Sequence, residues 1–235
     1  MTRVISLGGS IVAPDKVDCI YLQRFVGLIE TLLTEDNAER FIIVVGGGGP
    51  ARAWQAAYRE VSGALGAVPD DGQADWIGIM ATRLNAQLVK ALFGRRCTDD
   101  VVTNPEAGLT EGIFTGRVLL AAGWKPGFSS DNDAVLLAKR FGAKTVINLS
   151  NIEKVYTADP KTDPRAKPID SIRWEDFRVL SGDVWTPGKN VPFDPVASRN
   201  AAEAGLNVIC AAGGDMENLR QILRGAAYTG TLIHA

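Results

Sequence analysis

Residues Arg40 to Arg52 read RFIIVVGGGGPAR, and this stretch decides the fold. Arg40 to Val45 is a short, continuous apolar run rich in β-branched residues, the pattern of a strand covered on both faces. Gly46 to Gly49 follow at once and free the backbone for a tight turn. Pro50 then suits the first turn of a helix, where its missing N–H is not needed. Similar strand runs recur at Arg3 to Leu7, Arg117 to Ala121, Lys144 to Leu149 and Asn207 to Ala211. Between them lie helical patterns. From Asp18, placed as an N-cap, apolar residues Leu22, Phe25, Val26, Ile29, Leu32 and Leu33 fall at spacings of three and four. Leu136 to Gly142 and Val196 to Gly205 each end in a glycine where a left-handed C-cap is needed, and Asp194 caps ahead of Pro195. Alternating β and α elements of this length predict an α/β fold, a three-layer sandwich with a mainly parallel central sheet.

The chain of 235 residues is long enough to bury a core without disulfide or metal staples. No repeat, low-complexity tract or flexible linker divides it, and the turn-rich stretch Asp159 to Pro168 is the best internal boundary. Twenty-five basic against 27 acidic residues leave a net charge of −2, so no nucleic-acid-binding surface is advertised. Cys19, Cys97 and Cys210 lie far apart with no CxxC, as expected of reduced thiols in a cytoplasmic protein. The sole histidine, His234, is penultimate, which argues against a Ser-His-Asp triad or a His-rich metal site. No signal-peptide pattern opens the sequence and no apolar run approaches the roughly 18 residues of a membrane span.

Two glycine clusters, Gly8-Gly9-Ser10 and Gly46 to Gly49, follow strands directly. Each alone reads equally as a tight strand-to-helix turn. Two in one α/β chain, both at strand carboxyl ends, point to a phosphate-bearing ligand held by backbone amides. Neither has the Walker A or GxGxxG spacing. A third segment, Pro126-Gly127-Phe128-Ser129-Ser130-Asp131-Asn132-Asp133, precedes a helix expected to start near Ala134. It reads either as a helix cap with acids near the dipole, or as a nest for phosphate in which Asp131 orients a lysine or holds Mg²⁺. A fourth, Ser150 to Pro160, reads on its own as a hairpin and turn.

In this order the four segments resemble the amino acid kinase family, and most closely its UMP kinases of the archaeal-type branch. ISLGGSIV and VVGGGGPAR stand for its two phosphate loops, DWIGIMATRLNA for the stretch with the acceptor's ribose contact, and GWKPGFSSD for the acceptor loop. SNIEKVYTADPKTDPRAKPI is similar to the ATP-base segment, and PFDPVASRNAAEAGLNVI and the terminal TGTLI also match. The resemblance implies ATP- and Mg²⁺-dependent phosphorylation of UMP to UDP. It further implies one domain, residues 1–235, with an acceptor-binding lobe at about 1–142 and an ATP-binding lobe at about 143–235. A homo-oligomer, commonly a hexamer, is implied as well.

Residue roles follow from the same resemblance. Gly9, Ser10 and Gly48 are expected against the ATP phosphates, Gly47 against UMP, and Arg52 on phosphate, although Arg52 also reads as a solvated helix arginine. Asp75 is expected to accept from the ribose hydroxyls, with an N-cap as its other reading. Trp124, Lys125, Pro126, Gly127, Phe128, Ser129 and Ser130 wrap the acceptor phosphate. Ser150, Asn151, Tyr156 and Asp159 frame adenine and ribose, Tyr156 also reading as a core aromatic. In-line transfer needs positioning and charge neutralisation more than a general base. Asp131 is expected to orient the cationic groups, with Lys125, Lys189 and Lys16 as candidates to neutralise the migrating charge. The departures are specific: Leu7 precedes Gly8 where many family members carry a lysine, Trp124-Lys125 replaces Thr-His, and Ile152-Glu153-Lys154 replaces a Val-Asp-Gly turn. Other readings are a kinase of a different phosphomonoester, or a nucleotide-binding storage or sensor protein on the same fold. The stretch Asn104 to Gly116 matches nothing in this scheme.

Overall fold

The structure, a computed structural model, describes residues 2–107, 114–182 and 191–235. The glycine-terminated strand runs become β1 (Thr2–Leu7) and β2 (Arg40–Val45), joined through a one-turn helix α1 (Gly9–Val12) and the long α2 (Cys19–Glu35). Two helices follow, α3 (Gly48–Ala64) and α4 (Asp71–Phe93), before β3 (Val118–Ala121) and α5 (Ser130–Arg140). The rest comprises β4 (Thr145–Ser150), a small hairpin of β5 (Val155–Tyr156) and β6 (Pro168–Ile169), β7 (Ser171–Arg173), α6 (Trp174–Ser181), α7 (Pro195–Glu203), β8 (Asn207–Ala212), α8 (Met216–Arg224) and β9 (Thr231–His234).

The seven-stranded sheet has the order β3-β2-β1-β4-β8-β9-β7, and its first five strands are mutually parallel. β9 is the antiparallel exception against β8. The α/β reading of the sequence is borne out, and β2 shows why. Phe41, Ile43 and Val45 point into a core shared with α2, α4 and α8, while Ile42 and Val44 point into a second core shared with α5, α6 and α7. A strand buried on both faces has no use for polar alternation. The caps form as expected: Asp18 accepts from the Tyr21 amide (2.9 Å) and Asp194 from the Ala197 amide (2.7 Å), and Gly142 and Gly205 hold positive φ.

Two expectations change. α5 starts at Ser130 rather than near Ala134, because Ser129 is its N-cap and accepts from the Asn132 amide (3.2 Å). That draws Asp131 and Asp133 into the first turn, where the helix dipole favours acids. Asp75 is not a cap: Asp70 caps α4, accepting from Gln73 (2.7 Å), and Asp75 lies inside the helix. The stretch from Asn104 to Gly116 is described only outside residues 108–113. Ahead of it, Val102 bridges to Ala121 and covers the free edge of β3. Arg40 then reaches the carbonyls of Phe114 and Gly116, so this excursion is tied to the sheet it flanks.

Candidate active site

β1, β2, β3, β4 and β8 all end at one edge of the sheet, and β1 is the strand from which the order runs both ways. Such a switch point opens a crevice outside the carboxyl ends. The two glycine loops meet there. A Cβ on Gly9 would stand 2.1 Å from the Gly48 nitrogen, and one on Gly46 would stand 2.5 Å from the Gly9 nitrogen. Gly48, at φ +66°, would bring a Cβ 2.3 Å from the Gly9 carbonyl oxygen. The glycines are therefore required by backbone-to-backbone contact of the loops themselves. Asn85, buried on α4, fixes the second loop by donating to the carbonyls of Gly46 (2.9 Å) and Gly47 (3.1 Å). The first loop is fixed by the Gly8 amide on the Leu149 carbonyl (2.9 Å), which ties β1 to β4 at the crevice floor.

Arg52 lies early on α3 and donates to the Pro14 carbonyl (3.0 Å), bracing the chain just after α1. Ser10 is partly buried on α1, and Lys16 is exposed in the loop beyond it. The segment expected at adenine and ribose leaves the end of β4. The Ser150 carbonyl accepts from Gly213 (2.8 Å) and its hydroxyl from Ile152 (3.3 Å), while Asn151 is exposed. Tyr156 is partly buried on β5, and Asp159 orders the turn beyond by accepting from the Lys161 amide (2.9 Å). Lys189 lies outside the described residues.

The loop after β3 runs from Gly123 to Ser130. Asp75 accepts from the Gly127 amide (3.0 Å), where φ is +79°, so its carboxylate already shapes this loop. The Lys125 ammonium lies 3.7 Å above the Trp124 ring and 4.7 Å from that of Phe128, and the two rings meet edge to face. A cation held over aromatic faces is attracted by their quadrupoles and is poised at the loop's surface.

Behind the loop sits an acidic group that joins three elements. Asp131 accepts from the Ser6 hydroxyl of β1 (2.8 Å) and from the Asp194 amide at the start of α7 (3.3 Å). Burial pushes its carboxyl up to about 6, against the pull of the Ser6 hydrogen bond, while the Asp194 charge adds to the rise. Asp133 is buried and accepts from the Trp124 amide (3.2 Å); desolvation raises it to about 7. Asp194 is raised by burial too, although amide donors of α7 pull it down.

Asp131 and the loop residues are expected in the site from sequence; Ser6, Thr82, Arg83, Asn85, Asp133 and Asp194 are not. Ser6 carried a signal: it is the one hydroxyl in the buried run Val4 to Leu7 of β1, where a polar group needs a partner. Asn148 in β4 is similar and donates to the Pro192 carbonyl (2.9 Å). Thr82 and Arg83 carried none, since a helix surface tolerates Thr and Arg anywhere.

A model of the amino acid kinase family matches residues 1–212. The chain belongs to the amino acid kinase family. It is similar to the uridylate kinase of Methanospirillum hungatei, 34% identical over 233 residues, which covers 99% of this chain and 94% of that one. The uridylate kinase of Thermoplasma acidophilum is 32% identical over 232 residues, covering 98% and 95%. Among solved structures, the uridylate kinase of Archaeoglobus fulgidus superposes with a TM-score of 0.79 at 29% identity, covering 99% of this chain and all of that one. The family match spans both glycine loops, the loop after β3 and the segment after β4, so it covers the crevice as well as the sheet.

Proposed function

We propose that this protein transfers the γ-phosphoryl group of Mg·ATP to the α-phosphate of UMP, giving UDP and ADP. The carrying observation is the interlocked pair of glycine loops at the switch point, with a cation-bearing loop beside it. Uridylate kinases match this chain over 99% of its length, which supports the choice of acceptor.

In this reading Gly9, Ser10 and Gly48 offer their amides to the ATP phosphates, and Gly47 lies against UMP. Arg52 exchanges the Pro14 carbonyl for a phosphate. Ser150, Asn151, Tyr156 and Asp159 frame the adenosine. The segment Trp124 to Ser130 wraps the acceptor, Lys125 leaves its aromatic seat to meet the migrating charge, and Asp131 orients the cationic groups. Lys189 and Lys16 are the other cations assigned to this task. Asp75 serves both the loop, through Gly127, and the ribose, through its second oxygen. Mg²⁺ enters as part of the nucleotide; such ions are held mainly by substrate phosphates and water with one or two carboxylates. Among the described residues, no group of three or more His, Cys, Asp or Glu side chains is placed to hold a metal ion by itself. The acceptor side belongs to a lobe of about 1–142 and the ATP side to about 143–235.

We further propose a cytoplasmic homo-oligomer, a hexamer by family resemblance. Its support is the exposed apolar side chains that α3 and α4 carry: Trp54 and Leu84 are 69% and 72% exposed, Leu65 just after α3 is 80% exposed, and Val61 and Met80 are exposed as well. Such an apolar surface is what a self-interface uses. Among the described residues, no helix is long and apolar enough to cross a membrane.

The deciding experiment is ADP release from Mg·ATP with UMP, CMP, dUMP, AMP and isopentenyl phosphate in turn. Highest turnover with UMP is expected. A different best acceptor would reassign the Trp124 to Ser130 loop, and ATP binding without turnover would favour a storage or sensor protein.

A further inference from the structure

The main chain entering the acceptor loop is held at four successive points by side chains. The Gly123 amide donates to the Thr82 hydroxyl (2.8 Å), and the Gly123 carbonyl accepts from Arg83 Nε (3.3 Å). The Trp124 amide donates to Asp133 Oδ2 (3.2 Å), and the Trp124 carbonyl accepts from the Arg83 guanidinium (3.1 Å). Thr82 and Arg83 come from α4 and Asp133 from α5, and these helices pack on opposite faces of the sheet. The dipeptide at the end of edge strand β3 is thus gripped from both layers.

Asp133 is an unusual choice for such a place. It is 1% exposed, and its second oxygen has no hydrogen-bond partner among the described residues. A buried carboxyl is costly unless a specific interaction needs it. Its use here is the Trp124 amide, and the Arg83 charge on the far side of the same dipeptide favours its ionised form. Immediately beyond the grip comes Lys125, seated on Trp124 and Phe128.

We propose that Asp133 and Arg83 are positioning residues that fix the Gly123–Trp124 peptide units and so set where Trp124 and Lys125 meet the acceptor. The inference rests on the acceptor-loop reading above. A merely structural tie at the strand end would lower stability without distinguishing the acceptor from ATP.

The test uses the full chain carrying Asp133→Ala, Asp133→Asn, Arg83→Ala or Arg83→Lys. Steady-state kinetics with Mg·ATP and UMP are paired with amide hydrogen exchange across residues 123–128 in the absence of nucleotide. Asp133→Ala, which loses one charge-assisted hydrogen bond, and Arg83→Ala, which loses two, should raise KM for UMP about tenfold or more and lower kcat as Lys125 is displaced, with KM for ATP held to about twofold. Asp133→Asn keeps an oxygen for the Trp124 amide, and should restore most of the UMP affinity and the protection of that amide. An unchanged KM for UMP, an equal rise in both KM values, or unchanged protection of the Trp124 amide in Asp133→Ala would overturn the proposal. Should Asp133→Ala not fold, Arg83→Lys decides, because it keeps the charge and loses the two-carbonyl fork; it should show the same split between the two KM values. If the wild type does not turn over UMP, the function proposed above fails, while the exchange comparison still decides the grip.

Discussion

Ser6, next to last in β1, donates its hydroxyl to Asp131 on α5 over 2.8 Å, and the bond fastens the acidic first turn of that helix to the strand leading into the first glycine loop. The link makes the placement of Asp131 a property of the sheet. It also stabilises the ionised carboxylate, which burial otherwise disfavours. Asp131→Ala should therefore nearly abolish turnover while ATP binding persists. Ser6→Ala should move the acidic limb of the pH–rate profile upward, because one interaction favouring the charge is gone. A pH profile identical to wild type in Ser6→Ala would dissociate that limb from Asp131.

The raised carboxyls give stability a pH dependence of definite sign. Asp131 and Asp133 stand near 6 and 7 in the fold, against an ordinary 3.8 for an exposed aspartate. Between those values the folded protein holds more protons than the unfolded chain, so stability falls as pH rises through the window. Asp133→Asn removes one contributor. Its melting temperature relative to wild type should improve steadily from about pH 4 to about pH 7. A constant difference across that range, read by thermal melts, would place the Asp133 titration elsewhere.

Much of this was legible in the amino-acid sequence, and the part that was not has a physical cause. β2 announced itself because a doubly covered strand is a continuous apolar run, and Asp18 and Asp194 because caps are local chemistry. The start of α5 was misplaced since two acids and an asparagine read as loop until Ser129 is seen to cap them. Arg83 and Asp133 were silent. Their partners are main-chain atoms 41 and 9 residues away, and no local pattern encodes a bond of that kind. The glycines were legible as turns, yet their cause lies in a partner loop 38 residues distant.

Asp75 offers a cleaner separation of roles than the acidic group does. Its Oδ2 accepts from the Gly127 amide of the loop proposed to take the acceptor, and among the described residues no hydrogen bond joins it to the glycine loops. Asp75→Ala should raise KM for the acceptor by about tenfold or more, leaving KM for ATP near wild type. Asp75→Asn, which retains an acceptor oxygen, should be milder. Parallel changes in both KM values, measured by varying each substrate at saturation of the other, would remove Asp75 from the acceptor side.

The interlocked loops predict a contrast between two glycines that the sequence alone would treat alike. A methyl group on Gly9 would lie 2.1 Å from the Gly48 nitrogen and 2.6 Å from the Gly46 carbonyl carbon, all of it backbone that cannot rotate away. Gly214, after β8, has open space around an added Cβ and no positive φ. Overpacking of this kind costs about 1–3 kcal/mol and moves the backbone that causes it. Gly9→Ala should thus lower stability by roughly that amount and raise KM for ATP well beyond tenfold, since the displaced amides are those assigned to the phosphates. Gly214→Ala should leave both within error. Chemical denaturation and ATP titration of the two variants side by side check it. A Gly9→Ala protein that binds ATP like wild type would mean that the loops can separate without cost, and that the nucleotide phosphates are held by other groups.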